Sequence, residues 1–320
     1  MKLVFDDLLG GSPIPYVRKV LKGCGQKRPP ICHRTVTDHL GLELSDELPD
    51  DFPDNPKIDN PELHKALSTC CARLNRGKKE VWYYRHMNPQ RARLSVFHED
   101  THFVCPWHTD IDIFECNENQ VQGLAYASQE REAFGGGMEF LMPIEMVLGD
   151  ILSFNETSLK VARHLAGRYD ASIEVAAIRY ARINPGICCF LIIEPNTLPL
   201  NQTEALSNGH NSQIIFPWNI PVRLKEIKNY PLRVRYAVAS NRFPKFIKPG
   251  TGIEGDNLIL NAWTSQKAMK GEIPASVFGS SEKWSYHAEC IPIGNSGRIK
   301  VLLWLTDNQL SFKFYLGGNR

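Results

Sequence analysis

The chain carries almost no net charge, with 37 basic against 35 acidic side chains leaving +2 over 320 residues. With no acidic or basic tail, that balance excludes the electrostatic footprint of a general nucleic-acid or membrane-surface binder. Long apolar runs are missing too. The longest, Ile187 to Ile193, is far too short to cross a bilayer, so no membrane partner is expected. The opening MKLVFDDLLGG puts Asp6 and Asp7 where an export signal needs an apolar stretch. No CxxC occurs among the nine cysteines, an odd and scattered set with adjacent pairs at Cys70-Cys71 and Cys188-Cys189. That usage suits a reducing compartment in which most thiols act as small core residues, so a cytoplasmic protein is expected. Neither an internal repeat nor an extended low-complexity tract is present, which excludes a solenoid.

What remains is an ordinary globular composition, 42% hydrophobic and 22% charged, in a chain long enough for two or three domains. Three polar or Pro/Gly-rich stretches read as loops: Leu44 to Asn60, Glu194 to Gln213 and Lys248 to Gly255. Lys79 to Arg85 reads as an aromatic, β-branched strand, and Asn88-Pro89 as a helix start. Gln129 to Met142 is a second helix, ended by Pro143. Three short helical patterns follow, at Ile144 to Phe154, Leu159 to Tyr169 and Ile173 to Ile183. Past Pro185 the pattern turns to strands at Ile187 to Ile193, Leu232 to Ser240, Trp284 to Ile293, Ile299 to Thr306 and Gln309 to Tyr315, with Asp307-Asn308 a hairpin signal. The tail therefore reads as an α+β domain on a largely antiparallel sheet. Trp218, Trp263, Trp284 and Trp304 are expected in its core, and His164, His210 and His287 as packed or surface residues.

The most constraining string is His98-Glu99-Asp100-Thr101-His102, an HExxH on the helix that follows the first strand. Histidines four apart stack on one helix face and can share a divalent metal. The glutamate after the first histidine can take a proton from water at the metal's open position. Chance yields such a string in roughly one chain of this size in fifty, so its surroundings decide.

A catalytic zinc takes three protein ligands and a water. His108, Asp110, Glu130 and Glu132 are the downstream candidates. His108 has the spacing of a longer HExxHxxGxxH motif, but Cys105 stands where that motif needs glycine; the plainer reading is a helix-end or surface histidine. The HxD string His108-Thr109-Asp110 invites an iron-oxygenase reading, against which the helical flank argues. Residues two apart lie about 200° apart on a helix, so only one of Glu130 and Glu132 can face the metal. Glu130 shares its face with Ala133, Phe134, Gly137 and Leu141; Glu132 shares its own with Gly135, Gly136 and Glu139, a face suited to solvent. Glu130 is the expected third ligand.

The run Gln90 to Phe103 resembles the zinc helix of ImmA/IrrE-type metallopeptidases, in which basic residues precede "RFxxAHELGH". The run Glu130 to Pro143 is similar to that family's second signature, "ExEANxFAAELLMP", agreeing at Glu130, Glu132, Ala133, Glu139, Leu141, Met142 and Pro143. Pro29 to Leu44 resembles the family's opening segment, and Tyr169 to Ile183 its helices after the second signature. Three departures stand out. Asp100-Thr101 replaces an apolar-Gly pair and puts a carboxyl beside Glu99. Phe134 stands where the family has asparagine or aspartate, and Gly136 where it has phenylalanine. Three consecutive glycines, at about 1 kcal/mol each against alanine, predict a locally loose helix around Glu130.

The resemblance covers roughly residues 29 to 186. With it the chain is expected to divide into a zincin-like metallopeptidase domain over residues 1–150, a short helical, helix-turn-helix-like segment over 151–186 and, from the strand pattern, a strand-rich α+β domain over 187–320, expected to be sensory or regulatory. The resemblance implies Zn2+ held by His98, His102 and Glu130, with Glu99 as general base. The implied activity is hydrolysis of a peptide bond in a protein substrate, a DNA-binding repressor or its partner. The alternative is a weak or inactive metal-binding regulator that binds such a protein without cutting it. Strand Glu80 to Tyr84 is the expected edge for an extended substrate. Direct DNA contact is not expected of Ile173 to Ile183, which carries only Arg179 and Arg182 as basic residues and opens on Ile-Glu-Val-Ala-Ala.

Overall fold

The architecture is taken from a computed structural model that describes residues 12–46, 72–83, 87–108, 123–196, 230–244 and 246–305. The helices and strands form a mixed α+β protein with two sheets. By their contacts, the described residues up to Val147 together with Leu165–Ser172 form one unit; Leu148–His164 and the described residues from Ile173 onward form a second. No helix among the described residues is long and apolar enough to cross a membrane.

The first unit holds α1 (Ile14–Gly23), α2 (His33–His39), β1 (Glu43–Ser45), β2 (Ala72–Asn75), β3 (Glu80–Tyr83), α3 (Pro89–Val104) and α4 (Gly123–Leu141). Helix α1 buries Ile14, Val17 and Leu21, one apolar stripe at helical spacing. In the sheet β3 is central, parallel to β1 on one side and antiparallel to β2 on the other. A strand paired on both edges has no backbone groups left for a third chain, so the expected substrate edge at Glu80 to Tyr84 is corrected for the described residues, up to Tyr83.

Helix α3 begins where Asn88 caps it, its side-chain oxygen accepting from Gln90 N at 3.0 Å, with Pro89 in the first turn. Its end is set by Cys105, which turns extended, and by Pro106. Arg76 donates to the last carbonyls of α3, those of His102 and Phe103. Arg93, buried mid-helix, donates to the carbonyls of Ile31, Tyr169 and Asp170 and pairs with the Asp170 carboxylate at 2.9 Å. Asp170 sits at φ 48°, a left-handed turn position that aspartate tolerates.

Helix α5 (Ile144–Leu152) follows Pro143, and then come α6 (Leu159–Tyr169) and α7 (Ile173–Ile183). In the second unit, β4 (Ile187–Pro195), β5 (Leu232–Ala239), β6 (Met269–Pro274), β7 (Ser285–Ile293) and β8 (Arg298–Leu305) form an antiparallel sheet ordered β5-β4-β8-β7-β6. Ile187, Cys189, Leu191 and Ile193 of β4 join the core, against which α8 (Leu258–Ser265) and a 3-10 turn at Ala275–Phe278 pack. The alternate residues Cys188, Phe190 and Ile192 are buried too, because α7 packs on the sheet's other face. Burial on both faces is why this strand reads as an unbroken apolar run. Helix α7 accordingly buries Ala176, Ala177, Ile178, Tyr180 and Ile183.

Trp263 and Trp284 pack against that core, whereas Trp304 lies on the other face, with Lys270 over its ring at 5.3 Å. His164 is exposed and His287 partly exposed. Cys105, Cys188, Cys189 and Cys290 are buried free thiols, as cysteines used for packing should be. Gln309 to Tyr315, the Asp307-Asn308 turn, Trp218, His210 and Asp110 lie outside the described residues.

Candidate metal centre

The first unit brings His98, His102 and Glu130 together. The histidines sit one turn apart on α3, and Glu130 reaches them from α4. His98 Nε2 is 3.1 Å from His102 Nε2 and 3.1 Å from Glu130 Oε2, while His102 Nε2 is 3.3 Å from Glu130 Oε1. A tetrahedral centre with bonds of about 2.0–2.1 Å places neighbouring ligand atoms about 3.3–3.4 Å apart, so this triangle has the dimensions a metal requires. Among the described residues no other group of three His, Cys, Asp or Glu side chains meets that arrangement.

Electrostatics point the same way. Two imidazole nitrogens and a carboxylate converge on one spot, an arrangement that a bound cation would satisfy. Glu130 Oε1 is buried without a hydrogen-bond partner, an orphan acceptor at the point of convergence. Burial opposes charge on His98, but the Glu130 carboxylate outweighs it and raises the pKa, so a proton there supplies part of the missing charge. Burial also raises the cost of ionising Glu130, and the two histidines reverse this, holding its carboxyl well below the usual range. His102 falls to about 4, mainly through burial. A neutral His102 and an ionised Glu130 are the protonation states that metal ligation needs.

Glu99, on the same helix, is buried, and its Oε2 accepts from Leu74 N of β2 at 3.1 Å. Burial pushes its pKa up to about 7, with Glu130 adding to the rise and His98 opposing it. A carboxylate poised near neutral pH suits a general base.

Asp100 is fully buried and turned to a different partner. Its oxygens lie 3.0 and 3.2 Å from Thr37 Oγ1, and Thr37 Oγ1 lies 3.0 Å from the carbonyl of His33. Burial raises the Asp100 pKa well above 3.8. A protonated Asp100 donating to Thr37, whose own proton goes to His33, satisfies every contact. Burial therefore favours the neutral form of the carboxyl beside Glu99, which packs against Thr37. Its stabilisation is complete below the unfolded pKa and lost as pH rises through the raised folded value. Asp100→Asn keeps the neutral form at all pH, so in chelator its stability advantage over the native protein should widen from mildly acid to mildly alkaline pH. Parallel urea denaturation curves check this; a constant difference would mean that Asp100 is ionised in the fold.

The glycine run has a packing reason that corrects the expected looseness. A Cβ on Gly136 would stand 2.3 Å from Thr101 Cγ2 and 2.7 Å from Thr101 Oγ1, and one on Gly137 3.1 Å from His98 N. Helices α3 and α4 approach closely because these positions lack side chains. Phe97 and Phe140 stack at 5.4 Å across the same seam. Two departures from the family pattern thus compensate: Thr101 stands for glycine on one helix and Gly136 for phenylalanine on the other.

The side chain of Glu132 is corrected as well. It is only 14% exposed, because Trp107 and His108 of the turn after α3 close over it, on the face of α4 that a lone helix would turn to solvent. On that face Glu139 is 2% exposed and pairs with Arg18. Glu132 Oε2 lies 3.0 Å from His108 Nε2, and His108 Nδ1 lies 3.0 Å from His102 Nδ1. His108, expected at a helix end or on the surface, is fully buried behind a ligand.

Two histidines and a glutamate converge beside a buried glutamate, a group of three side chains that could hold a metal ion. Residues 66–180 match the model of the IrrE N-terminal-like domain, the Peptidase M78 family, so the resemblance carried by the two motifs stands for this part of the chain. No curated protein matches the chain. Among solved structures, a Mycobacterium tuberculosis transcriptional regulator is similar in fold, with TM-score 0.50 at 11% identity over 96% of this chain and 80% of that one.

Proposed function

We propose that the protein is a zinc-dependent metalloendopeptidase that hydrolyses a peptide bond in a protein substrate, a DNA-binding repressor or its partner. The observation that carries this reading is the ligand triangle of His98, His102 and Glu130 with Glu99 beside it. Zinc, when bound there, supplies the positive charge that polarises a scissile carbonyl and acidifies water. Glu99 takes the proton of the attacking water and passes it to the leaving amine. The bond from Leu74 N holds its carboxylate in one orientation, so the base needs no reorganisation at the moment of transfer.

The regulatory substrate is supported by the regulator of similar fold and by what the family resemblance implies. Burial of α7 nearly all round, from Ala176 to Ala181 and including Arg179, supports a packing role for that helix rather than DNA contact. The alternative, a regulator that binds without cutting, drew on Asp100 and the glycine run, and both have packing explanations. Incubation with co-encoded DNA-binding regulators separates the two readings. A new fragment that a chelator abolishes and zinc restores is the expected result; stable binding without cleavage would favour the alternative, and the absence of both cleavage and binding would overturn the proposal.

A further inference from the structure

Behind the three ligands lies a chain of groups that the proton transfer does not use. His102 Nδ1 is 3.0 Å from His108 Nδ1, His108 Nε2 is 3.0 Å from Glu132 Oε2, and Glu132 Oε2 also accepts from Trp107 Nε1 at 2.5 Å. Both imidazoles are fully buried. The turn from Cys105 to His108, closed by His108 N donating to the Cys105 carbonyl at 3.1 Å, brings the second histidine back under the first.

One proton arrangement satisfies this chain when His102 is a ligand. To present a lone pair at Nε2, neutral His102 must carry its proton on Nδ1. That proton is donated to His108 Nδ1, which must then be bare. The His108 proton therefore sits on Nε2 and is donated to the Glu132 carboxylate. Reversing either ring sets two protons or two lone pairs against each other at 3.0 Å, or strips His102 of the lone pair it offers the metal.

We propose that His108 and Glu132 form a positioning relay that fixes the tautomer and ring plane of His102 and strengthens it as a ligand for a divalent cation. The inference rests on the metal reading of His98, His102 and Glu130. Neither relay residue touches substrate. A ligand histidine needs an acceptor for its second ring N–H, and that acceptor tunes the metal. Here the acceptor is a second imidazole, and the carboxylate that polarises it is one residue further along the chain of bonds. The relay also gives physical work to the second glutamate of Glu130-Arg131-Glu132, one carboxylate on the metal and one behind it.

The test is zinc affinity by chelator competition, with the visible spectrum of the cobalt-loaded protein as a second readout, on the full chain and three variants. His108→Ala should weaken zinc by about 10–100-fold and shift the cobalt bands. His108→Asn, whose side-chain oxygen can stand near the lost Nδ1 and accept from His102, should recover most of the affinity. Glu132→Gln, the same shape without the charge, should fall between the native protein and His108→Ala. That isosteric variant decides the matter if His108→Ala does not fold. Native affinity and superimposable cobalt spectra in Glu132→Gln and in every His108 variant that folds would overturn the relay while leaving the metal site standing. A native protein that binds neither zinc nor cobalt would overturn the site and the relay together.

Discussion

Replacing Glu99 with glutamine is expected to remove hydrolysis and leave the metal in place. The side chain keeps its shape and an oxygen able to accept from Leu74 N, while the ability to take a proton disappears. A positioned general base contributes typically about 10²–10⁴-fold, so cleavage should drop by that factor or more. Metal content should stay at the native level, because Glu99 is not one of the three converging ligands. Cleavage and bound zinc measured on one preparation check both halves. Undiminished cleavage would mean that another group is the base, and lost zinc would mean that Glu99 helps to hold the metal.

The second large effect is steric. Gly136→Ala should destabilise the first unit and weaken its metal site. In a helix interior the change by itself favours alanine by about 1 kcal/mol. Against that, the new Cβ stands 2.3 Å from Thr101 Cγ2, and Thr101 is held by its hydroxyl bond to the Phe97 carbonyl at 2.7 Å. Overpacking of a tight core costs typically about 1–3 kcal/mol, so the clash wins. Any relief that moves α4 away also draws Glu130 from the histidines. Gly149→Ala in α5 is the control, since nothing lies within 4 Å of its added carbon; it should be neutral or slightly stabilising. Adding Thr101→Gly to Gly136→Ala should restore part of the loss, and denaturation curves on the four proteins give the coupling. Additive effects would show that these residues do not meet.

The two helices that make the centre were legible because each carries its own signals. Asn88-Pro89 starts α3, Pro143 follows the end of α4, and helical spacing alone puts His98 and His102 on one face. The same spacing chose Glu130 over Glu132 for the metal. It failed for Glu132 itself, since a helical wheel shows faces but not what covers them; Trp107 and His108 close over Glu132, and Arg18 of α1 pairs with Glu139 on the same face. The strands were legible where the pattern was long, as in β4, β5, β7 and β8. Four residues of β2 and the three of β1 carry no period of their own, and without them β3 reads as an edge.

Long-range partnerships account for the rest. Asp100 reads as a charge beside the base until Thr37, 63 positions earlier, is found against it. The glycine run reads as a weak helix until Thr101 is seen in the space it leaves. In both cases a penalty counted on one helix is cancelled by a neighbour on another element. A usable signal was present: a side chain added at position 101 and one lost at position 136, in two motifs that had to pack together.

Metal analysis of the purified native chain beside His98→Ala and Glu130→Ala tests the centre most directly. The geometry predicts close to one zinc per native chain, and loss of most of it in each variant, since two ligands of the triangle cannot hold what three hold. Zinc retained at the native level in both variants would place the metal elsewhere and contradict the His98, His102 and Glu130 site.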